Sequence, residues 1–262
     1  MSKDAPSKES PWIFFAMVFA LSVPLWIIGA VTGLLLPLGL PFGALMAFNP
    51  LVAAALLVYR RDGKTGVKTL LRQSVDPRRI TTRWFAVAVL LMPIVLGLEY
   101  GFLRISGIAV PRPDFSLLNA MLLFAVFFIA AIGEEAGWQG YAAGLLQKKH
   151  DALTASLVLG LFWAIFHIVP FLQMGRPLPW IWWQCLTMLP LRIIIVWLSN
   201  NAGRSVLIAV IFHTMLNLSQ FLFPIYGSHY DPFITFMILA PIAGMVTVFW
   251  GAKSLARSRW AP

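Results

Sequence analysis

Long apolar runs broken by short polar connections dominate the chain, and their lengths predict its fold. A helix needs about 20 mainly apolar residues to cross the hydrocarbon core of a bilayer. Eight runs approach or exceed that length: Trp12 to Leu36, Leu40 to Tyr59, Trp84 to Leu103, Leu117 to Gln147, Ala152 to Leu172, Trp180 to Leu198, Ser205 to Phe223 and Pro232 to Gly251. The only long hydrophilic connection is Arg60 to Arg83. The pattern therefore predicts an all-α polytopic membrane protein, a bundle of eight transmembrane helices spanning residues 11–252. A polar N-terminal tail, residues 1–10, is expected to be disordered, and a basic C-terminal tail covers 253–262. The first run is longer than the apolar region of a signal peptide and has no A-x-A-like cleavage site, so it reads as a retained span. No internal repeat or low-complexity tract is present, and the short connections predict one bundle.

Composition supports this reading, with 60% hydrophobic and 11% charged residues over 262 positions. The formal charge of +10 could suggest a nucleic-acid partner, but the basic residues form no single face or arm. They lie between the apolar runs instead. With eight spans, 16 of the 20 Lys and Arg fall on one side, including both tails and the Arg60 to Arg83 connection. That side is cytoplasmic by the positive-inside rule, which predicts a multi-pass protein with N and C termini in the cytoplasm. The single cysteine, Cys185, excludes an intrachain disulfide framework and a Cys-rich zinc site.

Polar residues inside the apolar runs carry the functional signal, since an ionisable group at membrane depth costs roughly 2.5–3.5 kcal/mol even on lenient insertion scales. The run from Gly133 to Gly140 reads G-E-E-A-G-W-Q-G and holds two adjacent acids, Glu134 and Glu135. Further along are His167, Arg192, and the pair His213 and Asn217, which are four apart and so share a helix face. Counting ~1.5 Å per residue from the cytoplasmic helix ends puts Glu134 at ~21 Å, His167 at ~24 Å, His213 at ~14 Å and Asn217 at ~20 Å. Three helices thus bring polar groups to similar depths. A carboxylate can take a proton from water, while imidazole and amide groups orient that water and stabilise the oxyanion formed at a peptide carbonyl. Neighbours on a helix point about 100° apart, so one glutamate faces the water and the other needs a structural partner. Glu99, near the outer end of its run beside Tyr100, reads as an interfacial carboxylate. Gly133, Gly137, Gly140 and Gly144 read as close helix packing, and Trp12, Trp84, Trp180, Trp182, Trp183 and Trp250 as interfacial rings.

Glu134-Glu135-A-G-W-Gln139, then Trp163-A-I-F-His167 after Phe162, then His213-T-M-L-Asn217 resemble the ordered motifs EExxxR, FxxxH and HxxxN/D of the CPBP intramembrane proteases. That family of CAAX proteases and bacteriocin-processing enzymes, also called Abi, includes the type II CAAX prenyl endopeptidase. The resemblance implies an eight-helix membrane fold and a glutamate-dependent endopeptidase acting on a peptide or protein at the membrane. Its base would match Glu134, with His167, His213 and Asn217 as polar partners. Two positions depart from the motifs: Gln139 replaces the arginine, and Trp163 is the aromatic one turn before His167. Members are often labelled metalloproteases. Zinc would accept Glu134, His167 and His213, but the HExxH pattern is absent, and the reading is of no obligatory cofactor, with zinc as the alternative.

The missing motif arginine leaves Glu135 without a counter-charge in its own helix. Arg192 lies ~12 Å above Asn200 and Gln139 ~14 Å above Lys148, which puts both at one level, and Glu135 is one turn deeper than Gln139 on the same face. Arg192 is therefore expected to pair with Glu135; the alternative is that it snorkels to the headgroups. Two other functions use the same residues. One is a transporter with a polar cavity, against which stands the lack of paired repeats or matched Gly/Pro-broken helices. The other is an inactive family member serving as a membrane scaffold or immunity protein. Nothing in the sequence separates prenylated CAAX tails from bacteriocin leaders as substrates.

Overall fold

The computed structural model describes residues 10–225 and 227–257, so the expectations for residues 1–9 and 258–262 of the two tails lie outside it. The described residues form helices α1 (Pro11–Thr32), α2 (Asn49–Gln73), α3 (Thr82–Ile105) and α4 (Leu117–Gly137). A π turn, Trp138–Ala142, continues α4 into the short α5 (Ala143–Gln147). Then follow α6 (Ala152–Gln173), α7 (Leu178–Asn201), α8 (Val206–Leu222) and α9 (Pro232–Trp250). Among the described residues, seven helical segments are long and apolar enough to cross a membrane, the α4 to α5 run counting as one, and α8 is a shorter apolar helix of 17 residues. The chain is thus an all-α, multi-pass membrane bundle.

Side-chain caps explain several helix starts, because the first N–H groups of a helix lack partners within it. Ser116 accepts from the Asn119 N–H at 3.1 Å, Asp151 from Thr154 at 2.7 Å and Asp231 from Phe233 at 2.9 Å. The backbone hydrogen bond also holds the Asp151 carboxyl below its ordinary range.

Three features differ from the hydropathy reading. The first apolar run stops being helical at Thr32, where Gly33 takes φ 62° and donates its N–H to the Gly29 carbonyl; this left-handed cap favours glycine. The second run opens as a 3-10 segment, Phe42–Phe48, and becomes α-helical only at Asn49, with Pro50 in the first turn. That helix continues to Gln73, so over half of the Arg60 to Arg83 connection is helical. Polar side chains remove the hydropathy signal there without preventing helix formation. Gly63, at φ 62° and ψ −155°, breaks α2 between its apolar and charged parts, a conformation that only glycine adopts cheaply.

Glu99 is fully buried rather than interfacial. Its carboxylate accepts the Asp231 N–H at 2.8 Å and the Thr235 hydroxyl, which ties α3 to the start of α9. Free N–H groups and the helix dipole favour a carboxylate at that point. Trp84 is buried too, edge-on to Trp197 at 5.2 Å between ring centres, and is not an interfacial ring. At the centre of the bundle every residue from Pro190 to Asn200 of α7 and from Val206 to Thr214 of α8 is buried. A polar side chain in either stretch must find its partner inside the protein.

Candidate active site

The backbone of α4 is fixed where the two acids lie by its packing on α2 and on the 3-10 segment before it. An added Cβ at Gly137 would stand 2.4 Å from the carbonyl carbon and oxygen of Pro50, and one at Gly133 would stand 2.7 Å from the carbonyl oxygen of Ala47. The small-residue reading therefore holds for these two glycines. At Gly140 a Cβ would meet only ordinary contacts, and at Gly144 nothing within 4 Å. The π turn follows directly, with the Ala143 N–H bonded to the Trp138 carbonyl five residues back.

Glu135 points into the protein with 0% exposure. Arg192, also 0% exposed, donates from Nη1 to Oε1 at 3.1 Å and Oε2 at 2.8 Å of Glu135. It does not reach the headgroups. Its guanidinium carbon lies 4.4 Å from the centre of the Trp163 ring, a cation-π arrangement. Gln139 is 8% exposed, its Oε1 has no hydrogen-bond partner among the described residues, and it makes no bond to Glu135. The positive charge beside Glu135 thus comes from α7, not from position 139 of its own helix.

Glu134 is 5% exposed and faces a different set of groups. Its Oε2 accepts the indole N–H of Trp163 at 2.7 Å and of Trp138 at 3.3 Å. Its Oε1 lies 3.9 Å from Nε2 of His167 and 3.9 Å from Nε2 of His213. Hydrogen bonds fix both imidazoles. The Nδ1–H of His167 donates to the Trp163 carbonyl at 2.9 Å, and that of His213 to Glu135 Oε1 at 2.9 Å. Since a carbonyl or carboxylate oxygen can only accept, Nδ1 carries the proton in each ring. In the neutral rings both Nε2 lone pairs are left toward Glu134.

The structure thus brings together Glu134, Glu135, His167, Arg192, His213 and Trp163 from four helices. Asn217 follows His213 by one turn of α8, is partly buried and has no hydrogen bond among the described residues. Trp138 is an addition to the residues singled out from the sequence. Its position four after Glu134 was the available signal, since residues at that spacing share a helix face.

Zinc ligands at about 2.0–2.1 Å from the ion stand about 3.4 Å apart when tetrahedral. The 3.9 Å separations are wider, and both indoles engage the other oxygen of Glu134. No group of three or more His, Cys, Asp and Glu among the described residues is arranged to hold a metal ion. The metalloprotease label has no support in this arrangement.

Comparison with known proteins finds similarity over the segment that carries the site. The model of the "Type II CAAX prenyl endopeptidase Rce1-like" family matches residues 116–219, which contain Glu134, His167, Arg192, His213 and Asn217. The chain is also similar to CAAX prenyl protease 2 of Methanococcus maripaludis, 28% identical over 239 residues that cover 81% of this chain and 84% of that protein. Both matches are to CAAX prenyl peptidases, and together with the ordered motifs they make the chain similar to the Rce1-like type II CAAX prenyl endopeptidases and read it as a peptidase.

Proposed function

We propose that this protein is a glutamate-dependent intramembrane endopeptidase in which Glu134 is the general base. The observation that carries the reading is the approach of Glu134 Oε1 to both histidine Nε2 atoms at 3.9 Å. That distance is too long for a direct hydrogen bond, yet a single oxygen at about 2.8 Å can bond both ends of either pair. A water there gives one hydrogen to Glu134 Oε1 and directs the other at a histidine Nε2. Attack on the peptide carbonyl moves the first proton onto Glu134, which returns it to the leaving amine, so the carboxylate is regenerated. Asn217 supplies an amide N–H for the oxyanion. His213 adds a second donor when protonated, its imidazolium held by the Glu135 carboxylate at Nδ1. Because Arg192 offsets the charge of Glu135, Glu134 is the carboxylate that remains to accept a proton.

The names of the family and of its archaeal relative bring a CAAX prenyl peptide as the substrate class, presented from the cytoplasmic side, where both termini lie. Purified protein in detergent or nanodiscs should cleave a prenylated CAAX peptide. Glu134→Gln should keep the fold and abolish turnover, because the amide is nearly isosteric but cannot take the proton. Retained cleavage would exclude Glu134 as the base. His167→Ala and His213→Ala should lower kcat by orders of magnitude, while Asn217→Ala, which removes one oxyanion donor, should cost about 100- to 1,000-fold. Equal, mild losses at all four positions would favour a packing role.

A further inference from the structure

Glu134 must present one oxygen to water while the other is held still, and the structure shows what holds it. Trp163 comes from α6 and reaches across to bond Glu134 Oε2 at 2.7 Å, and Trp138 bonds the same oxygen at 3.3 Å from within the helix of Glu134. Both indoles are buried, with Trp163 2% and Trp138 0% exposed. Trp163 makes a second contact, since its backbone carbonyl accepts the Nδ1–H of His167 at 2.9 Å and thereby aims His167 Nε2 at Glu134 Oε1. One residue therefore fixes both the carboxylate and the imidazole. An aromatic ring alone does not explain this, because phenylalanine has the ring without the N–H donor.

We infer that the indole N–H of Trp163 is a positioning group for this peptidase, assisted by that of Trp138: together they tie off Glu134 Oε2 so that Oε1 alone faces the reacting water. The role rests on Glu134 being the base. Without the clamp the carboxylate can rotate about its terminal bond, a torsion with a broad, roughly two-fold profile. Its oxygens then exchange places, and the water loses its alignment with His167. Misplacement by about 1 Å can cost as much as 100-fold in rate.

Trp163→Phe separates the donor from the ring. It retains an aromatic face for Arg192 and the backbone carbonyl for His167, and removes only the N–H and part of the ring area. The expected result is a kcat about 10- to 100-fold lower, with KM and thermal midpoint near those of the unaltered protein. Trp138→Phe should lose less, in line with its longer bond. The double variant should fall short of the product of the two losses, because both donors serve one oxygen. An unchanged kcat in Trp163→Phe overturns the inference, and so does a loss confined to KM or matched by a fall in thermal midpoint.

A second measurement needs no turnover. In protein labelled with 15N at the indole nitrogens, the resonance missing from Trp163→Phe identifies the Trp163 N–H. Glu134→Gln should move it upfield, because a neutral amide oxygen is a weaker acceptor than a carboxylate. A resonance that stays in place would mean that the bond to Glu134 is absent. If the unaltered protein cleaves no peptide, the endopeptidase reading falls and the positioning role falls with it, whereas the resonance still reports whether the contact exists.

Discussion

Arg192 shows how a single residue can bear on a site whose motif lacks one. Both oxygens of Glu135 are held by the same guanidinium nitrogen, while Nε and Nη2 of Arg192 have no hydrogen-bond partner among the described residues. The guanidinium is therefore less fully satisfied than a two-nitrogen pair would make it, and the Trp163 face takes up part of its charge. Removing it strands a carboxylate at 0% exposure. Arg192→Leu should destabilise the protein by about 3–5 kcal/mol, read as a lowered midpoint in thermal unfolding in detergent, and should reduce turnover. Gln139 sits one turn from Glu135 on the same helix. Adding Gln139→Arg should therefore restore much of the loss, as expected for two positions that share one partner. A silent Arg192→Leu would mean that the ion pair contributes little to either stability or turnover, and a second change that rescues nothing would mean that position 139 cannot supply the counter-charge.

At the scale of the helices, the approach of α2 to α4 fixes where the acidic pair stands. The same approach shows what sequence patterns can and cannot reveal. The eight apolar runs were legible because burial in lipid demands long hydrophobic stretches. The 3-10 opening of the second run and the π turn after Gly137 were not legible, since they are changes in backbone hydrogen-bond register and leave hydropathy unaltered. The charged half of α2 was hidden for the opposite reason: a helix with polar side chains looks like a connection. Among the site residues, Glu134 and the histidines stood out because their chemistry is costly in a membrane. Trp138 and the N–H of Trp163 did not, because a tryptophan in an apolar run is unremarkable until its partner is known. The glycines give this scale its test. Gly137→Ala would bring a Cβ to 2.4 Å of the Pro50 backbone, where no flexible side chain can yield. Forcing atoms into a packed site costs about 1–3 kcal/mol. The variant should unfold at lower temperature and turn over more slowly, whereas Gly144→Ala, with nothing within 4 Å of its Cβ, should be neutral in both. Equal behaviour of the two would mean that the α2 to α4 contact does not hold the acidic pair in place.

For the whole molecule, the orientation in the membrane decides which compartment supplies the peptide, and the charge distribution predicts it. Lys and Arg are concentrated in the tails, in the segment from Arg60 to Arg83, at Lys148 and Lys149, and at Arg204, whereas Arg104, Arg112 and Arg176 are the basic residues assigned to the opposite side. An excess of this size sets topology through the positive-inside rule. Cys185 makes the test simple, since it is the only cysteine in the chain and Cys185→Ala provides a cysteine-free background. Its thiol makes one long hydrogen bond among the described residues, 3.7 Å to the Ala164 carbonyl, and it packs only partly buried against the core, so replacement by the small apolar alanine should be tolerated. Lys64 and Arg112 are both exposed, one on the charged half of α2 and the other in the connection between α3 and α4. In intact cells a membrane-impermeant maleimide should label Arg112→Cys at once, and should label Lys64→Cys only after the membrane is opened. The converse pattern would invert the bundle and place both termini outside. A cytoplasmic CAAX peptide would then meet the wrong face of the protein, so the substrate proposed above would have to be abandoned even if Glu134 proved to be the base.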